Sequence, residues 1–337
     1  MAKLETKYMG TALKNPIIAG ASSLTSNVSG IKKAEESGAG AIVISSLFEE
    51  QIQAESFLFE EDLHQYDDRY GEMTTFFPEI EHSGPDKHLL FVKEAVNAVD
   101  IPVFASLNAV TREAWIKYSS LLAEQGIAGI ELNFYSAPSL FKKEGDAIEK
   151  EQLNILKEIR KNVSIPVSVK LSPFYTNVLN FIKKADDIGV NGFVLFNRFF
   201  QPDIDTESEK NILQHNLSTR NDIKIPLRFT GILSGNIKAD ICGSSGIMSG
   251  SDAAKLILAG AACVQVVSTL FRNKVSYLAK MLNELNDWME RKGYYALKDF
   301  KGILSEKNTS DPWVYKRAQY VRHLLKPDWL EKEYKPL

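Results

Sequence analysis

The chain is predicted to fold as an α/β protein, a single (β/α)8 TIM barrel, and three observations predict it. Short β-branched runs alternate with stretches of helical period, the pattern of parallel strands joined by crossover helices. Glycine-bearing turns recur just before strands, at Gly38-Ala39-Gly40, Gly126-Ile127-Ala128-Gly129 and Gly189-Val190-Asn191-Gly192. These are the turns by which a helix ends and the next strand begins. The run Gly243-Ser244-Ser245-Gly246-Ile247-Met248-Ser249-Gly250-Ser251-Asp252-Ala253-Ala254, followed by Gly260–Thr269, reads as strand end, small-residue loop, helix start and next strand. Residues without bulk let backbone N–H groups close on a phosphate, and the following helix points its positive end at it.

Taken in order, the candidate barrel strands are Pro16–Ala19, Ala41–Ser45, Val103–Leu107, Gly129–Asn133, Val167–Leu171, Gly192–Phe196, Asp240–Gly243 and Cys263–Val267. Two begin at Ile101-Pro102 and Ile165-Pro166, and proline is tolerated at the first residue of a strand. Between the strands, Lys87–Val99, Arg112–Glu124, Ile148–Lys161, Val178–Ile188 and Asp252–Ala259 have amphipathic helical spacing. Ile225–Ile237 is ambiguous, because its glycines weaken a helix.

Two insertions interrupt the repeat. Residues Ser46–Pro85 follow the second strand, are acidic and aromatic, and are a candidate lid. Residues Asn197–Ile225 follow the sixth strand. From Val275 the tail is expected to be helical, with Leu278, Met281, Leu282, Leu285, Trp288 and Met289 forming a stripe that packs on the barrel. One domain is expected over residues 1–337, a barrel core over about 15–274 and a helical extension over 275–337.

At 337 residues the chain suits one barrel with insertions. An apolar content of 44% and a charged content of 25% are those of a water-soluble globular protein. A net charge of −3 gives no basic excess for nucleic acid. No apolar stretch is long enough to span a bilayer, and the N-terminus has no signal-peptide core, so the expected location is the cytoplasm. The two cysteines, Cys242 and Cys263, fall in predicted strands. They are expected to be buried free thiols, not a disulfide or a metal set.

The chemistry is expected at the C-terminal ends of the strands. Lys170 interrupts the apolar strand Val167–Leu171, and a buried lysine needs an anionic partner. That partner is either a neighbouring carboxylate or an electron-rich ligand. Asn108, Asn133 and Asn197 each end an apolar strand. One such asparagine is an ordinary backbone cap, but three on one face suggest a site.

Several motifs, in order, resemble the dihydroorotate dehydrogenase family of FMN barrels from Asn15 to about Leu270. The strand-four motif Leu-Asn-x-Ser-Cys/Ser-Pro-Asn is similar to Leu132-Asn133-Phe134-Tyr135-Ser136-Ala137-Pro138-Ser139. Val169-Lys170-Leu171, Phe196-Asn197-Arg198, Asn216-Leu217-Ser218-Thr219, Ser245-Gly246-Ile247 and Val264-Gln265-Val266-Val267-Ser268 match later family motifs. The resemblance implies FMN as cofactor. It implies that Ser218, Ser245, Gly246, Val267 and Ser268 hold the phosphate and its approach. Ala19, Gly20, Ala21, Ser45 and Asn108 would face the isoalloxazine, and Lys170 would stabilise its reduced, anionic form. Asn133 and Asn197 would bridge flavin and substrate, and Ser136 falls near the position of the catalytic base. A homodimer is also implied.

The departures from the family concern its substrate. Ile44-Ser45 replace a lysine after strand two, Pro138-Ser139 replace Pro-Asn, and Arg198 replaces a threonine or serine. The orotate loop after strand two is not recognisable in Glu72–Pro78. Each lost polar partner costs about 1–3 kcal/mol of ligand binding. The expected enzyme is therefore an FMN-dependent oxidoreductase acting on CH–CH groups of a small anionic substrate other than dihydroorotate. Its electron acceptor is not legible. Alternatives are a working dihydroorotate dehydrogenase of pyrimidine biosynthesis, a flavin-free phosphate-binding lyase or isomerase, and a non-catalytic binder. Arg198 either reads a substrate carboxylate or turns outward to Asp203 or Asp205. No metal is expected.

Overall fold

The protein is described here by a computed structural model covering residues 2–49, 85–135, 141–198, 202–212, 217–316 and 321. The chain begins with an antiparallel hairpin, β1 (Thr6–Tyr8) against β2 (Thr11–Leu13). Eight parallel strands follow and close into a barrel: β3 (Ile17–Ala19), β4 (Ala41–Val43), β6 (Val103–Asn108), β7 (Gly129–Phe134), β8 (Val167–Leu171), β9 (Gly192–Leu195), β12 (Asp240–Ser244) and β13 (Cys263–Val266). The ring closes where Val264 of β13 pairs with Ile17 of β3. A short strand, β5 (Leu47–Phe48), continues the second barrel strand past a break and pairs with β6. All eight predicted barrel strands are present, so the expected (β/α)8 fold is the observed one.

The helices around the barrel are α1 (Val28–Glu36), α2 (Pro85–Ala98), α3 (Arg112–Ala123), α4 (Gly145–Asn162), α5 (Val178–Ile188), α6 (Lys224–Leu233), α7 (Gly250–Ala259), the short α8 (Ser268–Asn273) and α9 (Tyr277–Lys292). Four of them begin where a side chain caps the first turn: Asn27 accepts from Gly30 N–H, Thr111 from Ala114 N–H, Asn177 from Asn180 N–H and Ser249 from Asp252 N–H. Helix α5 ends at Gly189 with φ 100°, a left-handed conformation in which glycine carries no Cβ penalty.

Alternation along the strands sorts the side chains. One set faces the helices: Ile17, Ile42, Val103, Leu107, Ile130, Leu132, Val167, Val169, Phe193 and Val264 belong to one large buried cluster with helix residues such as Leu156, Phe181 and Leu256. The other set faces the barrel axis. Low in the barrel it is apolar, with Ile18, Val43, Phe104, Val194, Cys242 and Cys263 packed against Tyr8, Met9 and Leu13 of the first hairpin. That hairpin plugs the N-terminal face. Met9 N–H donates to Asp240 at 2.8 Å, and the Thr6 hydroxyl donates to the Ala262 carbonyl at 2.9 Å. Both cysteines are free and buried.

Three elements differ from the sequence reading. The ambiguous stretch Ile225–Ile237 is helical over Lys224–Leu233. Its Gly231 marks close packing, since a Cβ there would lie 2.3 Å from the Tyr315 ring. The insertion after the sixth barrel strand carries a small hairpin, β10 (Asp203–Asp205) with β11 (Lys210–Ile212). Between Val275 and residue 316 the tail is helical as α9 and then runs through turns and short 3-10 segments, and residue 321 is again helical. Leu278, Met281, Leu285 and Met289 are fully buried, while Leu282 and Trp288 lie at the edge of the stripe. Gly250 lets α7 meet α9, because a Cβ there would sit 2.2 Å from the Met281 carbonyl oxygen. The candidate lid falls almost wholly outside the described residues. Among those described, no helix is long and apolar enough to cross a membrane.

Candidate active site

A cavity of about 890 Å3 opens at the C-terminal ends of the strands. Its lining brings together Ala21, Ser45, Asn108, Asn133, Lys170, Asn197, Arg198, Ser218, Ser245, Gly246, Val267 and Ser268, residues spread over most of the barrel sequence. Two expected residues do not line it. Ala19 turns its side chain into the layer between barrel wall and helices, because it follows inward-facing Ile18 on the strand. Gly20 is packed beneath the cavity, where a Cβ would meet Val267 at 2.8 Å. Ser136 and the Pro138-Ser139 departure lie outside the described residues.

The wall at β12 and β13 has the features of a phosphate cradle. Ser245 and Gly246 both have left-handed backbones, with φ of 75° and 73°. A Cβ on Gly246 would lie 2.1 Å from the Ile223 nitrogen, so only glycine lets this loop meet the turn before α6. The loop and turn are bonded together: Gly246 N–H donates to the Ser218 hydroxyl at 3.2 Å, and Ser218 N–H donates to the Ser268 hydroxyl at 2.9 Å. The Ser245 hydroxyl donates to the Phe196 carbonyl at 3.0 Å, which anchors the loop to the end of β9. A bare concave backbone of small residues fits the phosphate of FMN.

The barrel axis beneath the cavity is polar. Lys170 is buried and lies 3.4 Å from the Glu131 carboxylate, itself buried. Gln265 joins them: its amide nitrogen donates to Glu131, and its amide oxygen accepts from Lys170 at 3.4 Å. The lysine thus has the carboxylate partner weighed from the sequence, and it also lines the cavity. Glu131 carries the same sequence signal as Lys170, a charge interrupting an apolar strand, and its register neighbour on β8, Ser168, faces the axis with it. Asn133 and Asn197 meet directly, Asn197 Nδ2 donating to Asn133 Oδ1 at 2.8 Å.

Arg198 pairs with neither Asp203 nor Asp205. Its Nη1 donates to Asp222 at 2.6 Å, on the turn that adjoins Gly246. Burial pushes the Asp222 carboxyl up, but the Thr219 N–H and the Arg198 guanidinium outweigh it and leave it below the usual range. On the opposite side α2 contributes Lys87, His88 and Phe91, which the sequence reading placed on a helix but not at the site. Burial lowers the His88 imidazole to about 4, and its Nε2 has no hydrogen-bond partner among the described residues.

The cations lining this cavity among the described residues are Lys87, Lys170 and Arg198, and no carboxylate lines it. Two of these cations have carboxylate partners outside the lining, Lys170 with Glu131 and Arg198 with Asp222.

A family model for dihydroorotate dehydrogenase matches residues 79–289. Relatives match most of the chain at low identity, two of them over 90% of it. The dihydroorotate dehydrogenase B (NAD(+)) catalytic subunit of Thermoplasma acidophilum is 24% identical over 312 residues, 90% of this chain and 99% of that protein. The protein of the same name from Methanocaldococcus jannaschii is 26% identical over 315 residues, 90% of this chain and 98% of that protein. Dihydroorotate dehydrogenase A (fumarate) of Lactobacillus helveticus is 26% identical over 213 residues, 60% of this chain and 67% of that protein.

Proposed function

The chain belongs to the dihydroorotate dehydrogenase family of FMN-dependent CH–CH oxidoreductases, and from that premise we propose that it oxidises a small anionic substrate other than dihydroorotate. The observation that carries the anion is the lining of the cavity, which has no acidic side chain among the described residues and has Lys87 of α2 besides the cations nearer the flavin end. The exclusion of dihydroorotate rests on Ile44-Ser45, Pro138-Ser139 and Arg198, which stand where the family keeps its orotate partners.

FMN, when bound, supplies a ring that accepts hydride from carbon. The chain's own residues divide the remaining work. Ser218, Ser245, Gly246, Val267 and Ser268 hold the phosphate end. Ala21, Ser45 and Asn108 flank the ring. Lys170 would stabilise the reduced, anionic ring, and Glu131 with Gln265 fixes its ammonium. Asn133 and Asn197, each tethered by the other, orient the substrate between them. Ser136 Oγ takes the proton that leaves the neighbouring carbon. A serine is a weak base at its free pKa and needs a relay to do so.

The names of the relatives favour dihydroorotate itself, which makes the decisive experiment simple. In anaerobic stopped-flow mixing, dihydroorotate is expected to bleach the flavin slowly and only at high concentration. A panel of small carboxylates is expected to contain a faster reductant. Ser136→Ala should slow reduction by that compound about 10²-fold or more with FMN still bound. Rapid bleaching by micromolar dihydroorotate would reject this substrate reading. Acceptors named for the relatives, NAD(+) and fumarate, are the first candidates for reoxidation. Cytoplasmic location and a homodimer are part of the same proposal.

A further inference from the structure

We propose that Arg198 binds the phosphate of FMN, so that this chain supplements a backbone cradle with a fixed guanidinium. The inference rests on FMN occupying the cavity just described, and it assigns Arg198 to the cofactor instead of the substrate.

Position carries the argument. Arg198 stands three residues beyond β9, directly after the Phe196-Asn197 step whose carbonyl is bonded to Ser245. Its guanidinium is held on Asp222. The same Asp222 oxygen accepts from Thr219 N–H at 2.6 Å and from the Thr219 hydroxyl at 3.1 Å. Thr219 follows Ser218, whose hydroxyl accepts from Gly246 N–H. Gly246 in turn lies against Asp222 and Ile223, so closely that a Cβ would meet the Asp222 carbonyl carbon at 2.7 Å. Arg198 is thus tied at two places to the loop and turn that form the cradle.

Charge makes the assignment specific. The cradle side of the cavity is lined by Leu217, Ser218, Ser244, Ser245, Gly246 and Ser268, none of them charged. The other lining cations stand elsewhere: Lys170 is at the barrel axis beside Glu131, and Lys87 is on α2 across the cavity. A phosphate monoester carries a charge of about −1.5 to −2 at neutral pH. Arginine's planar fork matches phosphate oxygens bidentately, and a pre-set fork loses less side-chain freedom on binding. Asp222 provides that pre-setting.

The test compares FMN with riboflavin, which lacks only the phosphate. Apoprotein is titrated with each flavin, and quenching of flavin fluorescence gives two dissociation constants. In the wild type FMN should bind far more tightly. Arg198→Met should weaken FMN about tenfold or more and leave riboflavin within about twofold, so riboflavin also reports that the variant is folded. Arg198→Lys, which keeps charge but loses the fork, should fall between the two and remains informative if Arg198→Met does not fold. An unchanged FMN-to-riboflavin ratio in both variants, with tight FMN binding by the wild type, overturns the assignment and returns Arg198 to the substrate. Failure of the wild type to bind FMN overturns the cofactor reading itself, a separate and distinguishable result.

Discussion

The floor and the mouth of the barrel are made by the same strands, two to four residues apart, and follow different rules. On β12 Cys242 lies on the floor and Ser244 at the mouth; on β13 Cys263 is below Gln265; on β6 Phe104 is below Asn108. The floor is dry and filled, with Tyr8 and Phe104 meeting edge to face at a centroid distance of 5.9 Å. The mouth holds a buried ion pair, a left-handed Ser-Gly step and a histidine with a nitrogen unpartnered among the described residues. Close packing specifies the fold below. Above, the chain keeps features that cost stability, and such features concentrate where ligands bind.

The sharpest way to break this contrast is Gly246→Ala. The added Cβ has no room, 2.1 Å from a backbone nitrogen, and the backbone is left-handed. A left-handed alanine alone costs about 1–2 kcal/mol, and the clash drives the Ser218–Ile223 turn away from the loop. FMN affinity should fall 100-fold or more, while circular dichroism remains that of a folded barrel, because the clash meets only the edge of the wall cluster, at Ile223, and leaves the floor cluster intact. Flavin titration of the apoprotein measures it. Retained affinity would show that the cradle is not where the phosphate sits.

How far the sequence reads through to this arrangement also differs between the two regions. The barrel strands were legible because alternation and proline or glycine punctuation are local signals. Gly246 and Lys170 were legible as small residues or a charge in the wrong place. Glu131 carried the same signal as Lys170, but one charged residue does not reveal its partner across the barrel. Lys87 and His88 were illegible as site residues, since their approach depends on how α2 packs. Asp222 was missed in favour of Asp203 and Asp205, which are nearer in sequence to Arg198. Helix α6 was obscured because a glycine required by Tyr315 looks like a glycine that weakens a helix.

The second prediction concerns the ion pair at the centre of the mouth. Lys170→Met should lower the flavin reduction potential, and it also leaves Glu131 as a buried, uncompensated charge. Breaking such a pair costs about 3–5 kcal/mol, whereas replacing both partners with apolar groups is near neutral or stabilising. The Lys170→Met, Glu131→Leu double variant should therefore regain stability but keep the lowered potential. Chemical denaturation and redox titration separate the two effects. A potential unchanged in both variants would make the pair purely structural.

The third prediction is a pH dependence at the rim. Burial holds His88 at about 4, below its ordinary value of 6.5. The unfolded chain therefore takes up this proton first as pH falls. The neutral imidazole's contribution to stability is complete above pH 6.5 and is lost as pH drops toward 4. A shift of this size corresponds to roughly 3 kcal/mol at most. His88→Phe should flatten that part of the stability–pH curve, as followed by urea midpoints from pH 7.5 to 4.5. An unchanged curve would place the imidazole in solvent.

The smallest effect is expected on the floor, at Tyr8→Phe. The Tyr8 hydroxyl is fully buried and has no hydrogen-bond partner among the described residues, although Ser168 lies nearby. Burial raises the phenol well above its usual range, so it stays neutral. An unsatisfied buried hydroxyl costs about 1–3 kcal/mol, and removing it without changing the ring lifts that cost. The edge-to-face contact with Phe104 survives, and only a small void remains. Thermal unfolding should be unchanged or shifted upward by a few degrees, with FMN affinity and flavin reduction kinetics at wild-type values. A loss of flavin affinity or of reduction rate would show that Tyr8 acts through Ser168 on the polar layer above, and that the floor and the mouth are a single functional unit.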